Sequence, residues 1–257
     1  MSENKLSIPN IPQEQNYVIA YIDILGIRDK IAHQDDKQVF KDIYYPFLLA
    51  DRVMPQVELF EAQDIKVKIF SDNILFAYPV KDSFDKEDVY LSYRKLVDYL
   101  GFFLHSIANK GILFRGAIAF DKLMINDLLV WGEGLLKVVY LEENVAIYPR
   151  IILSEELLKI FDEFSLSGIK YEQKFSCLKD FDDCVFFNFF DYEDTEATES
   201  LLYYAKKYIR ENIEKERAEK NRPKILHNYY WFENYLVEVE KEYTTIRTNL
   251  EQENHKC

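Results

Sequence analysis

The stretch Tyr17-Val18-Ile19-Ala20-Tyr21-Ile22-Asp23-Ile24-Leu25-Gly26 decides the fold. Tyr17 to Ile22 is apolar on both faces, the pattern of a central strand covered by helices rather than of an edge. The run then meets Asp23, and an ionised carboxylate at the end of a buried strand is costly unless it is paired or binds a metal. Gly26 follows, where the lack of a side chain lets backbone amides approach a phosphate.

Working outward, Asp36–Ala62 reads as helix interrupted at Pro46 and Pro55. Ile65–Phe70 and Ile74–Tyr78 are β-rich runs separated by the turn-forming triplet Ser71-Asp72-Asn73, so they form a hairpin with Asp72 at its tip. Between Asp85 and Asn109, the residues Val89, Tyr93, Leu96, Leu100, Phe103 and Ile107 step by four and three, one helical face laid on a sheet. Ile112–Phe120 and Leu128–Trp131 return to strand, Gly134–Glu143 is helical, and Ile151–Leu153 is a further strand. The order β-α-α-β-β-α-β-β-α-β predicts an α/β fold with no internal repeat.

Beyond a β-like segment at Cys184–Phe190, the chain turns acidic over Glu193–Glu199 and then basic at Lys206, Lys207 and Arg210, a polarity that complements a helix dipole. Pro223 opens a second helix with Ile225, Tyr229, Phe232, Leu236 and Val239 on one face. The sequence divides into a flexible N-terminus over 1–15, a catalytic domain over 16–192 and a C-terminal helical extension over 193–257.

Composition narrows the function. At 257 residues and 48% hydrophobic the chain can bury a full core, and a formal net charge of -13 argues against a nucleic-acid track. A single triphosphate is still admissible, because a bound divalent metal reverses the local sign. Cys177, Cys184 and Cys257 lack paired metal-ligand spacing and read as reduced thiols. No run is apolar for long enough to span a bilayer, and the polar start lacks a signal core, so a cytoplasmic protein is expected.

Asp23 and Asp72 are the candidates for chemistry. Two carboxylates at neighbouring strand ends supply hard oxygen ligands for Mg²⁺ or Mn²⁺, with phosphate oxygens completing the shell. The same residues also read as a helix cap and a turn residue, and spacing alone leaves both readings open. Arg115, beside Gly116, needs an anionic partner, either a ligand or a surface carboxylate. Lys68 either donates to a base carbonyl or flanks an exposed hairpin. Tyr140 either contacts a substrate or packs in the core. His33, His105, His227 and His255 show no ligand spacing.

Four segments in series resemble the class III nucleotidyl cyclases. Tyr21-Ile22-Asp23-Ile24-Leu25-Gly26-Ile27 resembles the F-x-D-I-x-G-F strand end, and Lys66 to Asn73 is similar to the K-x-x-G-D hairpin, with Lys68 four residues before the aspartate. Phe114-Arg115-Gly116-Ala117-Ile118 resembles the R-x-G-I strand, and Val130-Trp131-Gly132-Glu133 through Ala146 resembles the W-G helix stretch. The chain departs from the purine enzymes at Leu136 and Tyr140, where a substrate-steadying Asn and Arg are usual, at Leu129 for an adenine-reading Asp, and at Ser71 for a Gly. It is instead similar to the pyrimidine cyclases of bacterial Pycsar antiphage defence, through Asp23–Gly26, Phe70–Asn73, Arg115–Ile118, Tyr140–Glu142 and Ala146–Ile151. Asn228-Tyr229-Tyr230-Trp231-Phe232 also resembles that group's K-Y-x-W-L helix.

The resemblance implies a ferredoxin-like cyclase sheet with helices on one face and a C-terminal helical extension. It implies two divalent metal ions, Mn²⁺ or Mg²⁺, held by Asp23, Asp72 and the Ile24 backbone carbonyl. Tyr140 would join the two aspartates in catalysis, and Tyr21, Gly26, Lys68 and Arg115 would contact substrate. The implied reaction converts UTP to 3′,5′-cyclic UMP and pyrophosphate in a homodimer, with the product acting on a separate cyclic-nucleotide-responsive effector and no nucleic-acid or membrane partner. The alternatives are a cytidylate or purine cyclase, or a non-catalytic nucleotide-binding dimerisation module.

Overall fold

A computed structural model describes residues 13–27, 37, 44–49, 64–81, 84–108, 110–164, 176–190 and 195–254. The expected helix over Asp36–Ala62 and most of the expected flexible N-terminus lie outside the described residues, apart from a helical turn α1 (Tyr45–Leu48).

The decisive stretch is strand β1 (Gln15–Ile24), at the centre of the sheet. Val18, Ile19, Ala20 and Ile22 have no exposed surface, because β1 is covered on both faces. It pairs antiparallel with β3 (Asn73–Pro79) on one side and β4 (Phe114–Ile125) on the other. Strand β2 (Lys66–Phe70) joins β3 through the expected turn and forms one edge. Ser71 reaches a positive φ of 57° there, which a type of turn this tight demands of its residue. The order β2-β3-β1-β4 is that of a ferredoxin-like core: β1 and β2 run parallel with β3 between them.

The sheet then extends beyond that core. Strand β6 (Ile151–Leu153) lies parallel to β4, followed by β8 (Val185–Phe187) and edge strand β7 (Cys177–Lys179), while the short β5 (Val130–Trp131) pairs with the far end of β4.

The alternation of β1 sorts the helices. Val18, Ala20, Ile22 and Ile24 face the larger core, which α2 (Lys86–Ala108) closes with Val89, Tyr93, Leu96, Leu100 and Phe103. Helix α4 (Glu155–Phe164) adds Leu157 and Phe161 to it. Helices α5 (Thr195–Glu219) and α6 (Pro223–Asn254) pack into the same core, with Phe232 of α6 against Phe114 and Phe189. The alternate residues Tyr17 and Ile19 meet Leu75, Ala77, Ala119 and Leu123 under Val138 of α3 (Glu133–Asn144). Helix α3 is therefore the addition to the expected helices on one face; it lies across the other.

Helix α4 and strand β7 are missing from the sequence reading. For α4 the signal exists: the Ser154 hydroxyl accepts a hydrogen bond from the Leu157 amide at 3.2 Å, ahead of Glu155 and Glu156 in the first turn. Strand β7 has three residues, too few for a period to show.

Candidate functional site

The hairpin turn and the end of β1 are stitched together. The Ile24 amide donates to the Asp72 carbonyl at 3.0 Å, and Asp23 lies opposite both Asn73 and Arg115 in the ladder. Asp23 and Asp72 therefore sit at adjacent strand ends, as the sequence predicts. Asp72 is 9% exposed, so its carboxylate is drawn largely out of water, and Asn73 Nδ2 donates to it at 3.4 Å.

Register places the other residues. Directly opposed residues in an antiparallel ladder share a face. Arg115 and Asp23 form one such row, and Tyr21, Leu75 and Lys68 form the next. All lie on the face that α3 covers in part. Gly116 is what lets β4 approach so closely there: a Cβ at that position would collide with the Tyr21 carbonyl.

Glu142 was not identified from sequence. It lies on α3, is 4% exposed, and accepts a hydrogen bond from Arg115 Nε at 2.5 Å. The same Nε stands 3.6 Å from Asp23 Oδ2. The terminal nitrogens of Arg115 make no hydrogen bond among the described residues.

The charge here is out of balance. Burial, followed by the field of Asp23 and Glu143, pushes the Glu142 carboxyl above the usual carboxylate range, against the lowering pull of Arg115. Tyr21 is pushed up to about 12, first by burial and then by Glu142, Asp23, Glu143 and Asp72. Four carboxylates, Glu142, Asp23, Glu143 and Asp72, act on Tyr21, and Arg115 pulls against them at Glu142.

That surplus fits a divalent cation. Asp23 and Asp72 offer hard oxygen donors of the kind that a divalent cation takes. Among the described residues, no group of three or more His, Cys, Asp or Glu is gathered closely enough to hold a metal alone. A two-carboxylate site therefore needs ligand oxygens, such as phosphate, to complete its shell.

The structure does not bring Tyr140 to this cluster within one chain. It is 61% exposed, on the outward side of α3, whereas Glu142 two residues later points inward. Leu136, one turn before Tyr140, is 72% exposed, and Trp131 is 61% exposed, so the outer surface of this segment is apolar. Lys68 is half-buried in β2. Gly26 turns the chain away from β1 at a φ of 82°. No helix among the described residues is long and apolar enough to cross a membrane.

No protein-family model and no curated protein matches the chain. Solved structures similar to it include the adenylyl cyclase CyaB from P. aeruginosa, at 11% identity and a TM-score of 0.45, over 68% of this chain and 93% of that one. A bacterial light-regulated adenylyl cyclase is similar over 76% of this chain and 100% of its own, at 14% identity and a TM-score of 0.42. An adenylate/guanylate cyclase/hydrolase from Silicibacter pomeroyi is similar over 68% of this chain and 95% of that one, at 13% identity and a TM-score of 0.38.

Proposed function

We propose that this chain is a nucleotide cyclase that closes the ribose 3′-oxygen onto the α-phosphorus of a nucleoside triphosphate and releases pyrophosphate. The observation that carries the reading is the pair Asp23 and Asp72, set at adjacent strand ends in an acidic cluster. Two divalent metal ions held by Asp23, Asp72 and the Ile24 carbonyl would acidify the 3′-hydroxyl and offset triphosphate charge. Around them, Arg115, whose Nε bonds Glu142 and lies 3.6 Å from Asp23, would offer its terminal nitrogens to phosphate. Gly26 lets the backbone come close to phosphate, and Lys68 donates to the base from the same sheet face.

The apolar outer surface of α3, with Leu136 and Tyr140, supports a homodimer in which Tyr140 serves the partner's site. UTP is the favoured substrate and cyclic UMP the favoured product, acting on a separate effector in antiphage defence; this part rests on the motif resemblance. Incubating the pure chain with each of the four triphosphates and Mn²⁺, with mass spectrometry of the products, tests the reading. Cyclic UMP with pyrophosphate is expected. No cyclic product from any triphosphate would overturn it.

A further inference from the structure

Beyond Gly26 the turn opens into a cavity of about 490 Å³, of the size of small-ligand pockets. Its far wall is the junction of α5 and α6. Lys110, Lys215, Lys220, Arg222 and Lys224 line it, against the carboxylates of Glu216 and Glu219. In a chain of formal net charge -13, this lining holds an excess of positive charge.

Contacts on both sides hold the walls of this cavity in place. The start of α6 carries Lys224 and has no acidic residue in its first turn, so a cation sits at the positive end of a 32-residue helix. The Glu216 carboxylate, which accepts from the Arg222 amide just ahead of that helix, offsets part of this charge, and Lys224 stands beyond it on the lining. At the junction, Arg222 donates from its backbone amide and Nε to Glu216 Oε1, at 3.0 and 2.8 Å. On the near side, Asn212 Nδ2 of α5 donates to the Gly111 carbonyl at 3.1 Å, fixing α5 against the entry to β4. Finally, a Cβ built on Gly26 would meet nothing within 4 Å, so the backbone of this turn faces open space.

We infer that this cavity is a polyphosphate-binding site, formed by the C-terminal helices and the Gly26 turn. Its ligand chemistry is a chain of phosphates, either the tail of a nucleotide whose ribose lies at Asp23 and Asp72 or a free polyphosphate. The nucleotide source rests on the cyclase reading; the site itself does not. Lys215 and Lys224 are exposed side chains on helices, so altering them leaves the core untouched.

The test is a calorimetric titration of the full chain with sodium tripolyphosphate in metal-free, low-salt buffer. Without metal, the Asp23 and Asp72 carboxylates repel a polyanion, so binding reports the cavity. The wild type is expected to bind, more weakly as salt is raised. The double variant Lys215→Glu/Lys224→Glu is expected to bind roughly tenfold more weakly or worse, with an unchanged thermal transition. Asp72→Asn should bind as the wild type does. No wild-type binding, or equal binding by the double variant, would overturn the site.

The double variant's KM for the nucleotide identifies the source. A rise of roughly tenfold marks the substrate tail, and an unchanged KM with lost tripolyphosphate binding marks a free ligand. Tripolyphosphate binding through these lysines in a chain that makes no cyclic product would remove the cyclase reading and keep the site. Turnover in a chain whose binding ignores the lysines would do the reverse.

Discussion

Two arginines, each facing a pair of carboxylates, end up in opposite electrostatic states. Arg150, at the entry to β6, is buried and bonds Asp182 through both ends of its fork, at 2.9 and 2.5 Å, while also bonding Asp180. Asp180 takes a further hydrogen bond from Trp231 Nε1 of α6 at 3.0 Å, and the guanidinium lies 5.1 Å from the Tyr148 ring and 5.9 Å from that of Trp231. The hydrogen bond from Arg150 holds the Asp182 carboxyl below its usual range. Arg115 engages through Nε alone, and its partner Glu142 is held above the usual range. The first cluster holds both terminal nitrogens of its guanidinium on carboxylates, leaves only the buried Arg150 Nε without a hydrogen bond among the described residues, and ties α6 to the sheet. The second stays open and acidic, the condition for holding a cation and a phosphate.

The largest expected effect falls on the open cluster. Under the proposed function Asp72→Asn should reduce turnover on the order of a thousandfold or more, because it would remove a metal ligand worth several kcal/mol at the transition state. Its thermal transition should stay close to wild type, since Asp72 supports no core packing. Mn²⁺ should raise the wild-type Tm by several degrees and leave that of Asp72→Asn nearly unmoved, which tests the ligand role without turnover. Mixing Asp72→Asn with Tyr140→Ala should recover activity if Tyr140 serves the partner's site. A wild-type-like Mn²⁺ shift in Asp72→Asn would break the contrast between the two clusters.

The closed cluster should fail in the opposite currency, stability. Arg150→Met strands Asp180 and Asp182 beside a buried face, a change that costs about 3–5 kcal/mol, or roughly 10 °C in Tm. Arg115→Met should cost about 1 kcal/mol, because Glu142 is already poised to take up a proton. Equal losses in the two variants, read by thermal denaturation, would mean that both arginines are structural.

How far the sequence reveals these two clusters follows from distance along the chain. Asp23, Asp72 and the hairpin are legible because strand period and turn chemistry are local. Glu142 is not, since its link to Arg115 spans 27 residues and depends on α3 crossing β4. The Arg150 cluster is hidden in the same way: Asp182 stands 32 residues away and Trp231 reaches Asp180 across 51. The face taken by α3 was not legible either, because the alternating residues of β1 are apolar on both sides and do not say which helix covers which.

A smaller effect comes from pH. For Asp182 the folded value lies below the usual 3.8, so its contribution is full above that pH and is lost as pH falls through the folded value. For Glu142 the folded value lies above the usual 4.5, so its contribution is full below that pH and is lost as pH rises through the folded value. Glu142→Gln keeps a carbonyl acceptor for Arg115 and removes the second dependence. Its Tm relative to wild type should therefore rise by a degree or two between pH 4 and pH 7, roughly the scale of one modest hydrogen-bond effect. A fall over that range would show that Glu142 is held as a carboxylate by Arg115.

The smallest effect concerns the base, and it depends on the open cluster leaving room for one. Lys68 lies in the ladder row of Leu75 and Tyr21, one row from Asp23 and Arg115, so a nucleotide bound at the carboxylates can place its base against it. An ammonium offers donors only. At the 4-position uracil presents a carbonyl, whereas cytosine presents an amino group that Lys68 cannot satisfy. Leu129 supplies no side-chain acceptor for an exocyclic amine, which cytosine and adenine both carry. UTP should therefore be preferred to CTP, with ATP a poor substrate. One hydrogen bond at a half-exposed strand is worth about 1 kcal/mol, a few-fold in rate. Lys68→Met should bring the ratio of cyclic UMP to cyclic CMP, formed from equal UTP and CTP, close to one. A ratio unchanged by the substitution would assign base choice to another residue, and predominant cyclic CMP in the wild type would reverse the assignment of the pocket.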